Sequence, residues 1–185
     1  MYISDEIFNS APPAEGRADR ENRVYKFLDE KGIPYMGFDH DSADTMEICE
    51  MLESRLGAKI CKNLFLCNRQ ETEFYLLMMP GDKPFKTKFL SQQIGSARLS
   101  FASPENMLAK LDILPGSVSV FGLMNNKEHD VHLLLDAELK ENEFIGCHPC
   151  VCTSVLKLST ADLLGRILPE LGFEPQFVEL PRSFD

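Results

Sequence analysis

Two apolar runs joined by a short polar segment constrain the fold of this chain more than any other feature. Residues 62–67 and 73–79 are mostly apolar, and residues 68–72 between them read Asn-Arg-Gln-Glu-Thr. Apolar runs of strand length on both sides of a polar loop are typical of an antiparallel hairpin. The chain is therefore expected to contain a β-sheet in which these two runs are neighbours.

Helix and strand signals are mixed along the rest of the chain. Val24, Phe27 and Leu28 recur at helical spacing before Gly32, and Ser103 followed by a proline is typical of a helix start. Because the signals do not alternate regularly, we predict an α/β fold of the mixed α+β kind, with a mixed sheet. Further helices are predicted from Asp44-Thr45 to Gly57, over 86–94 and from Ser159 to Leu168, and further strands over 33–38, 118–121, 131–135, 144–153 (strand-turn-strand) and 177–180.

Composition bounds the domain organisation. Apolar residues make up 44% and charged residues 26% of the 185 residues, as in one compact globular domain. Pro12, Pro13 and Gly16 interrupt the beginning, so we predict an N-terminal arm over 1–20 and a single domain over 21–185. The chain shows neither an apolar run of membrane-span length nor a signal-peptide pattern, so we expect a cytoplasmic protein without membrane contact.

The charge balance restricts the partners. A formal net charge of -10 argues against broad, nonspecific nucleic-acid binding, and we expect no DNA partner. Lys83, Lys86 and Lys88 form a local basic patch that could contact one end of an RNA. The same lysines would equally suit a solvated turn and helix start.

The segment Ile145-Gly146-Cys147-His148-Pro149-Cys150 has the residues of a tight turn. Glycine lets the backbone bend and approach a ligand, and proline fixes the exit. A turn of this kind can offer backbone N–H groups to a substrate oxygen. His148 is therefore the strongest histidine candidate, whereas His40, His129 and His132 are expected at the surface.

The cysteines of this segment allow other chemistry. Cys147-x-x-Cys150 has the spacing of zinc ligands, but the remaining cysteines form no second pair of that spacing. A thiol of Cys147 activated by His148 is a second alternative, and small buried side chains at Cys150 and Cys152 are a third. Because the chain lacks an export signal, we expect reduced thiols, no metal site and no cofactor.

Lys62 and Asn63 open the first run of the hairpin. A lysine there is commonly a charge at the end of a strand. With an asparagine beside it, it could also hold an anion such as a phosphate or a terminal carboxylate. The two residues by themselves leave both interpretations open.

Short motifs with a fixed order carry more information than any of these segments alone. They are Lys62-Asn63-Leu64-Phe65-Leu66, Pro80-Gly81-Asp82-Lys83, Leu99-Ser100-Phe101-Ala102-Ser103-Pro104-Glu105, Pro115-Gly116-Ser117-Val118, Phe121-Gly122-Leu123, Gly146-x-His148-Pro149 and Leu158-Ser159-Thr160-Ala161-Asp162-Leu163-Leu164. Over about residues 21–180 this order resembles the prolyl-tRNA editing proteins, the YbaK-like or PrdX/ProX family. These are freestanding homologues of the editing domain inserted in bacterial prolyl-tRNA synthetase.

The resemblance implies a strongly curved mixed β-sheet flanked by helices, and hydrolysis in trans of a mischarged aminoacyl-tRNA, above all alanyl-tRNA(Pro). The partners it implies are mischarged tRNA(Pro) and, as a further candidate, prolyl-tRNA synthetase. In that family the lysine matching Lys62 contacts the 3′ end of the tRNA, and the resemblance implies that Asn63 and His148 help to place the aminoacyl group. The predicted site comprises Lys62, His148 and Gly146 as catalytic residues, and Asn63, Cys147, Pro149 and Lys83 as substrate-binding residues.

The expected chemistry needs little machinery. An aminoacyl ester is already activated, so a site need only position water and stabilise the oxyanion. A ribose hydroxyl of the substrate could position the water. Backbone N–H groups of the turn could stabilise the oxyanion. Pocket size would select alanine over proline. Cys147 and Cys152 depart from the family's pattern, which leaves the edited amino acid open, and a non-hydrolysing binding module or a thiol or zinc protein remain alternatives.

Overall fold

The computed structural model describes residues 2–42 and 45–184, apart from the side chain of Met46. The strands in this part of the chain are β1 (Met36–Asp39), β2 (Lys59–Cys67), β3 (Phe74–Pro80), β4 (Ser100–Phe101), β5 (Val131–Asp136), β6 (Phe144–Cys147), β7 (Ser154–Ser159) and β8 (Gln176–Val178). They form one sheet in the order β1-β7-β6-β2-β3-β5-β8, and β4 pairs with β2 outside this path. Parallel and antiparallel pairs both occur, so the predicted mixed sheet is confirmed.

Helices flank this sheet, with α2 against β2 and α3 against β8. Their bounds are α1 (Asp19–Glu30), α2 (Met46–Leu56), α3 (Thr87–Ile94), α4 (Pro104–Leu111), α5 (Thr160–Asp162) and α6 (Leu168–Leu171), with a π-helical stretch at Leu163–Ile167 and 3₁₀ helices at Val120–Asn125 and Ala137–Glu141. Within the described ranges, none of the helices has the length and apolar character needed to cross a membrane. The strong curvature of the sheet stays a prediction.

The predicted hairpin is confirmed as β2 and β3, which pair antiparallel with Leu64 opposite Leu77. Every residue of β3 is buried. Leu76 and Met78 pack in the larger hydrophobic cluster, whereas Leu77 and Met79 pack in a second one, so both faces of this strand are covered. Burial of one large apolar side chain contributes roughly 1.5–3 kcal/mol. The hairpin is therefore a stable element on which a site can be built.

Strand β2 has a second edge that is only partly paired. Lys59 and Ile60 pair with β6, and Leu66 and Cys67 pair with β4. Between these partners, residues 62–64 have no strand neighbour on this edge in the described part of the chain. The sheet divides here, and one edge of β2 is open.

Hydroxyl side chains begin three of the helices. Thr45, Ser103 and Ser159 each accept a hydrogen bond from the backbone N–H three residues further on, so the predicted helix starts are confirmed at these positions. The helix start predicted at Asp44-Thr45 also included Asp44, which lies outside the described residues. Gly57 adopts a φ of 68° and ends α2, as predicted.

The strand predicted over 118–121 is wrong. The Ser119 hydroxyl accepts a hydrogen bond from the N–H of Phe121 at 3.3 Å, and a 3₁₀ helix begins there. Val120, Phe121 and Leu123 are nonetheless buried. A short apolar run signals burial without distinguishing strand from helix, which explains the error.

The N-terminal residues lie along β1. Isolated bridges join Ile3 to His40 and Phe8 to Gly37. A Cβ on Gly37 would lie 2.6 Å from the Phe8 ring, so glycine permits this approach. Because α1 begins at Asp19, the end of the predicted arm is helical. The division into an arm over 1–20 and a domain over 21–185 stays a prediction.

Candidate functional site

A pocket of about 400 Å³ lies beside the open edge of β2. Helix α2, the turn after β3 and two loops complete its wall. The lining residues are Cys49, Glu50 and Glu53 of α2, Lys59, Ile60, Cys61, Lys62 and Asn63 of β2, Gly81 and Asp82 after β3, and Gly116, Val118 and His148 in loops. Lys62, Asn63 and His148, which are distant in sequence, thus line the same pocket. The roles expected for them stay predictions.

Lys62 brings a positive charge to the pocket wall. Its side chain is half-buried, and burial lowers the pKa of its ammonium, with a smaller opposing effect from the charge of Asp82. In the described ranges it makes no ion pair, whereas Lys59 pairs with Glu53 at 2.8 Å. The ammonium of Lys62 is therefore available to an anionic group of a ligand.

Asn63 presents polar groups at the open edge of β2. Its Oδ1 is buried and has no hydrogen-bond partner among the described residues. The carbonyl of Phe65 accepts from the N–H of Ala102 at 2.9 Å, which identifies the edge that faces away from β3. Main-chain polar groups alternate between the two edges of a strand, so the N–H and C=O of Asn63 face that same edge. A buried acceptor without a partner is costly, and a ligand donor would satisfy it.

The carbonyl of Ser154 fixes the protonation of the His148 ring. Nδ1 of His148 lies 2.7 Å from this carbonyl oxygen, which can only accept, so Nδ1 carries a proton. Burial lowers the pKa of His148; the hydrogen bond to Ser154 opposes this, and the charge of nearby His40 lowers the pKa further. The ring is neutral at pH 7, and its Nε2 offers a lone pair.

The loop around His148 is anchored on both sides. The hydroxyl of Ser119 donates to the main-chain carbonyl of His148 at 2.5 Å. The ring of His40 lies with its centroid 5.9 Å from that of His148. His40 is only 3% exposed and its Nδ1 donates to the carbonyl of Asp41 at 2.7 Å, so the expected surface position is wrong. The bridge to Ile3 and the packing of β1 explain its burial.

The remaining residues of the predicted turn do not line the pocket. Gly146 belongs to β6, where a Cβ would lie 2.9 Å from Cγ1 of Ile60, so close packing and not a turn favours glycine. Cys147 is fully buried in the core, and Pro149 is buried beside it. The chain takes the left-handed conformation at Cys150, with a φ of 63°. Gly146, Cys147 and Pro149 thus lie behind the pocket wall in this structure, and the site roles expected for them stay predictions.

Lys83 is held inside the fold by its own ion pairs and does not line the pocket. It is 3% exposed, and its Nζ lies 2.7 Å from Asp136 and 3.1 Å from Glu138. Two carboxylates neutralise the charge of this buried ammonium, so it adds little positive potential to the surface. The basic patch predicted at 83–88 is therefore reduced to the exposed Lys86 and Lys88.

Buried thiols disfavour nucleophilic cysteine chemistry. Burial raises the pKa of Cys61 and of Cys150 to about 12, and raises that of Cys147 well above its ordinary value. A thiol is nucleophilic as the thiolate, which these pKa values make scarce at neutral pH. The described residues contain no group of three His, Cys, Asp or Glu side chains that could hold a metal ion.

Sequence reasoning missed several pocket residues. Gly116 and Asp82 belong to two of the ordered motifs, but nothing in the local pattern shows that these motifs meet at β2. In the sequence, Glu50 and Glu53 have the pattern of the polar face of a helix. They line the pocket because α2 packs against β2. Glu53 is held there because its carboxylate also accepts from the N–H of Ile60 at 3.0 Å.

Comparison with known proteins now defines the class. The family model of the aminoacyl-tRNA editing domain matches residues 40–165, which include α2, the hairpin and the His148 loop. The chain therefore belongs to the aminoacyl-tRNA editing domain family. Within it, the chain is a member of the prolyl-tRNA editing group, as two curated relatives show.

The first relative is the prolyl-tRNA editing protein ProX of Acetoanaerobium sticklandii. It is 32% identical over 145 residues, which cover 78% of this chain and 88% of that protein. The second is prolyl-tRNA synthetase associated domain-containing protein 1 of Danio rerio, which is 29% identical over 186 residues and covers 97% of this chain and 98% of its own.

Solved structures show the same fold at lower identity. A protein described as a candidate trans-editing enzyme for prolyl tRNA synthetase superposes with a TM-score of 0.64, at 14% identity, over 90% of this chain and all of its own. A scaffold protein used for epitope backbone grafting superposes with a TM-score of 0.68, at 16% identity, over 91% of this chain. Family membership and fold together support a trans-editing deacylase function.

Proposed function

We propose that this protein hydrolyses mischarged tRNA(Pro) in trans, above all alanyl-tRNA(Pro). The observation that carries the proposal is the convergence of Lys62, Asn63 and His148 on one pocket in a chain of this family. The pocket offers a cation and an amide oxygen that have no partner among the described residues, and a neutral imidazole. An aminoacyl-adenosine end carries the matching groups, which are a phosphate, hydrogen-bond donors and an α-ammonium group.

The three residues contact different parts of the substrate in this proposal. The ammonium of Lys62 binds the phosphate at the 3′ end of the tRNA. Nε2 of His148 accepts a hydrogen bond from the α-ammonium group and so places the ester carbonyl. The amide of Asn63 and its main-chain groups at the open edge hold the other side of the aminoacyl group. We assign His148 a positioning task, since its lowered pKa makes it a weaker base than a free imidazole.

The reaction is addition of water to an ester that is already activated. Water adds to the carbonyl carbon, the ester C–O bond breaks, and the ribose oxygen takes up a proton. The neighbouring ribose hydroxyl of the substrate orients the water, so this step needs no nucleophilic side chain from the protein. The predicted donor at Gly146 is replaced by the N–H of Asn63, because Gly146 is paired within the sheet and Asn63 faces the open edge.

Selection would rest on the size of the pocket. Ile60 and Val118 give part of the wall an apolar surface against which the methyl group of alanine can pack. Exclusion of the larger proline ring then protects correctly charged tRNA, as a second sieve after the synthetase. We further propose prolyl-tRNA synthetase as a partner that hands over the substrate, and the cytoplasm as the place of action.

A deacylation panel tests this function. The purified protein is incubated separately with alanyl-, cysteinyl- and prolyl-tRNA(Pro), and loss of the ester is followed over time beside a known editing domain. We expect rapid loss of alanyl ester and stable prolyl ester. Stability of all three esters while the known domain is active would overturn the proposal. Binding of tRNA without turnover would instead identify a binding module.

A further inference from the structure

We propose that Arg17, in the segment before the span matched by the family model, is a positioning residue for His148 and acts through Asp39 and Ser154. The inference rests on the proposed function, which gives His148 its task. It assigns the N-terminal residues a role in the site, although they do not line the pocket beside β2.

The guanidinium of Arg17 joins two carboxylates that come from different elements. It donates to both oxygens of Asp39, at 2.9 Å and 2.5 Å, and to Oε1 of Glu21 at 2.6 Å. It also lies over the ring of Phe8, 5.7 Å from the centroid, and over that of Tyr25 at 5.8 Å. The Arg17 side chain is 16% exposed, so the group is held within the fold.

Both carboxylates meet the side chain of Ser154. Oγ of Ser154 lies 2.5 Å from Oδ1 of Asp39 and 3.0 Å from Oε1 of Glu21, and NH1 of Arg17 lies 3.4 Å from the same Oγ. Asp39 and Ser154 are also opposite each other where β1 pairs with β7. The side chain of Ser154 is therefore clamped at the first residue of β7.

The main chain of Ser154 transmits this clamp to the site. Its carbonyl oxygen receives the Nδ1–H of His148 at 2.7 Å, and this contact sets both the tautomer and the direction of the ring. The carbonyl of the preceding residue, Thr153, receives the N–H of His40. The end of the loop is thus fixed to β1 by side chains and by main chain.

Electrostatics explain why an arginine is needed. Glu21 is 4% exposed, and its Oε1 and Oδ1 of Asp39 approach the same serine hydroxyl. A hydroxyl has one proton and can donate to only one of them at a time. The forked guanidinium supplies donors and a positive charge to both carboxylates. Without it, repulsion would separate β1 from α1 and shift Ser154.

Four variants test the inference. Arg17→Gln removes the charge, Arg17→Lys keeps the charge without the fork, and Ser154→Ala removes the clamped hydroxyl but keeps the carbonyl. Arg23→Ala is the matched control, since Arg23 lies on α1 and pairs with Asp112 at the exposed surface. The ¹⁵N shifts of the His148 ring report its tautomer without any use of tRNA, and deacylation of alanyl-tRNA(Pro) gives kcat and KM.

We expect Arg17→Gln and Ser154→Ala to lower kcat about 10-fold to 100-fold, as displacement of a positioned group does. KM should change little, and the ¹⁵N shifts should show a mixture of His148 tautomers. Arg17→Lys should fall between these variants and the parent, and Arg23→Ala should match the parent. If Arg17→Gln does not fold, Arg17→Lys and Ser154→Ala carry the test.

Unchanged tautomer and kcat in folded Arg17→Lys and Ser154→Ala would overturn the inference. If the parent protein hydrolyses no ester but the variants still shift the tautomer, the proposed function fails while the positioning role of Arg17 stands. If the parent is active and only KM changes in the variants, the inference fails while the proposed function stands.

Discussion

The two walls of the pocket are built in different ways. Lys62 and Asn63 stand on β2, which is backed by a fully buried neighbour, β3. His148 stands on a loop that is held by polar contacts with Ser119 and Ser154, and Ser154 is in turn held by Arg17. Apolar burial tolerates small shifts, whereas a hydrogen bond weakens steeply when its geometry changes. One wall should therefore fail by unfolding and the other by loss of alignment.

The largest expected effect is on the stability of the hairpin wall. Leu77→Ala should lower the free energy of unfolding by about 2–5 kcal/mol, because it leaves a cavity beneath β3. Chemical denaturation measures this, with Leu108→Ala as a control because Leu108 is 46% exposed. Below its unfolding transition the variant should retain kcat. An equal loss of stability in both variants would contradict the idea that burial of β3 stabilises the hairpin wall.

The second-largest expected effect comes from removing the positive charge of Lys62 on β2. Lys62→Ala should lower kcat/KM for alanyl-tRNA(Pro) about 100-fold, or roughly 2.7 kcal/mol, by removing the cation that meets the phosphate. Thermal stability should change little, since Lys62 makes no ion pair in the described part of the chain. Lys26→Ala serves as the control, because Lys26 pairs only with Glu30 at the exposed surface. Unfolding of Lys62→Ala would indicate a structural lysine instead.

A third effect separates alignment from stability in the loop wall. Ser119→Ala removes the hydroxyl that donates to the carbonyl of His148 and caps the following 3₁₀ helix. We expect about 1 kcal/mol less stability and about 10-fold lower kcat with unchanged KM. Single-turnover deacylation and denaturation are measured on the same sample, beside Ser10→Ala at an exposed position. A fall in stability without a fall in kcat would show that the loop aligns nothing.

The smallest effect is the response to pH. Because burial puts the folded-state pKa of His148 below 6.5, the unfolded state binds the proton first as the pH falls. The contribution of His148 to stability is complete above pH 6.5 and declines from there down to the lowered pKa. Deacylation should persist below pH 6.5 and be lost through that lower pKa, as Nε2 becomes protonated. In His148→Gln, this loss of activity at low pH should disappear from the plot of deacylation rate against pH. If the loss persists in the variant, another group must be responsible for it.

The hairpin, three helix starts and the fold class could be predicted because they depend on local patterns of apolar and capping residues. The 3₁₀ helix at 120–125 could not be predicted, because its apolar run suits a strand and a helix equally well. In the structure the Ser119 hydroxyl accepts from the N–H of Phe121 where this helix begins. The ordered motifs allowed us to predict three residues that line the pocket, namely Lys62, Asn63 and His148. Gly146 was misplaced because a glycine required by contact with Ile60 has the same sequence signature as one required by a turn.

The sequence by itself determined the class of fold, the family resemblance and three of the residues that line the pocket, because short-range patterns and motif order survive without coordinates. Only the tertiary structure decided that Lys83 forms ion pairs with Asp136 and Glu138. The same holds for the burial of Cys147 in the core and for the position of His40 beside His148. The tertiary structure also decided that Arg17 reaches Ser154. These contacts join residues far apart in the chain, and their energies depend on burial and distance, which no local pattern records.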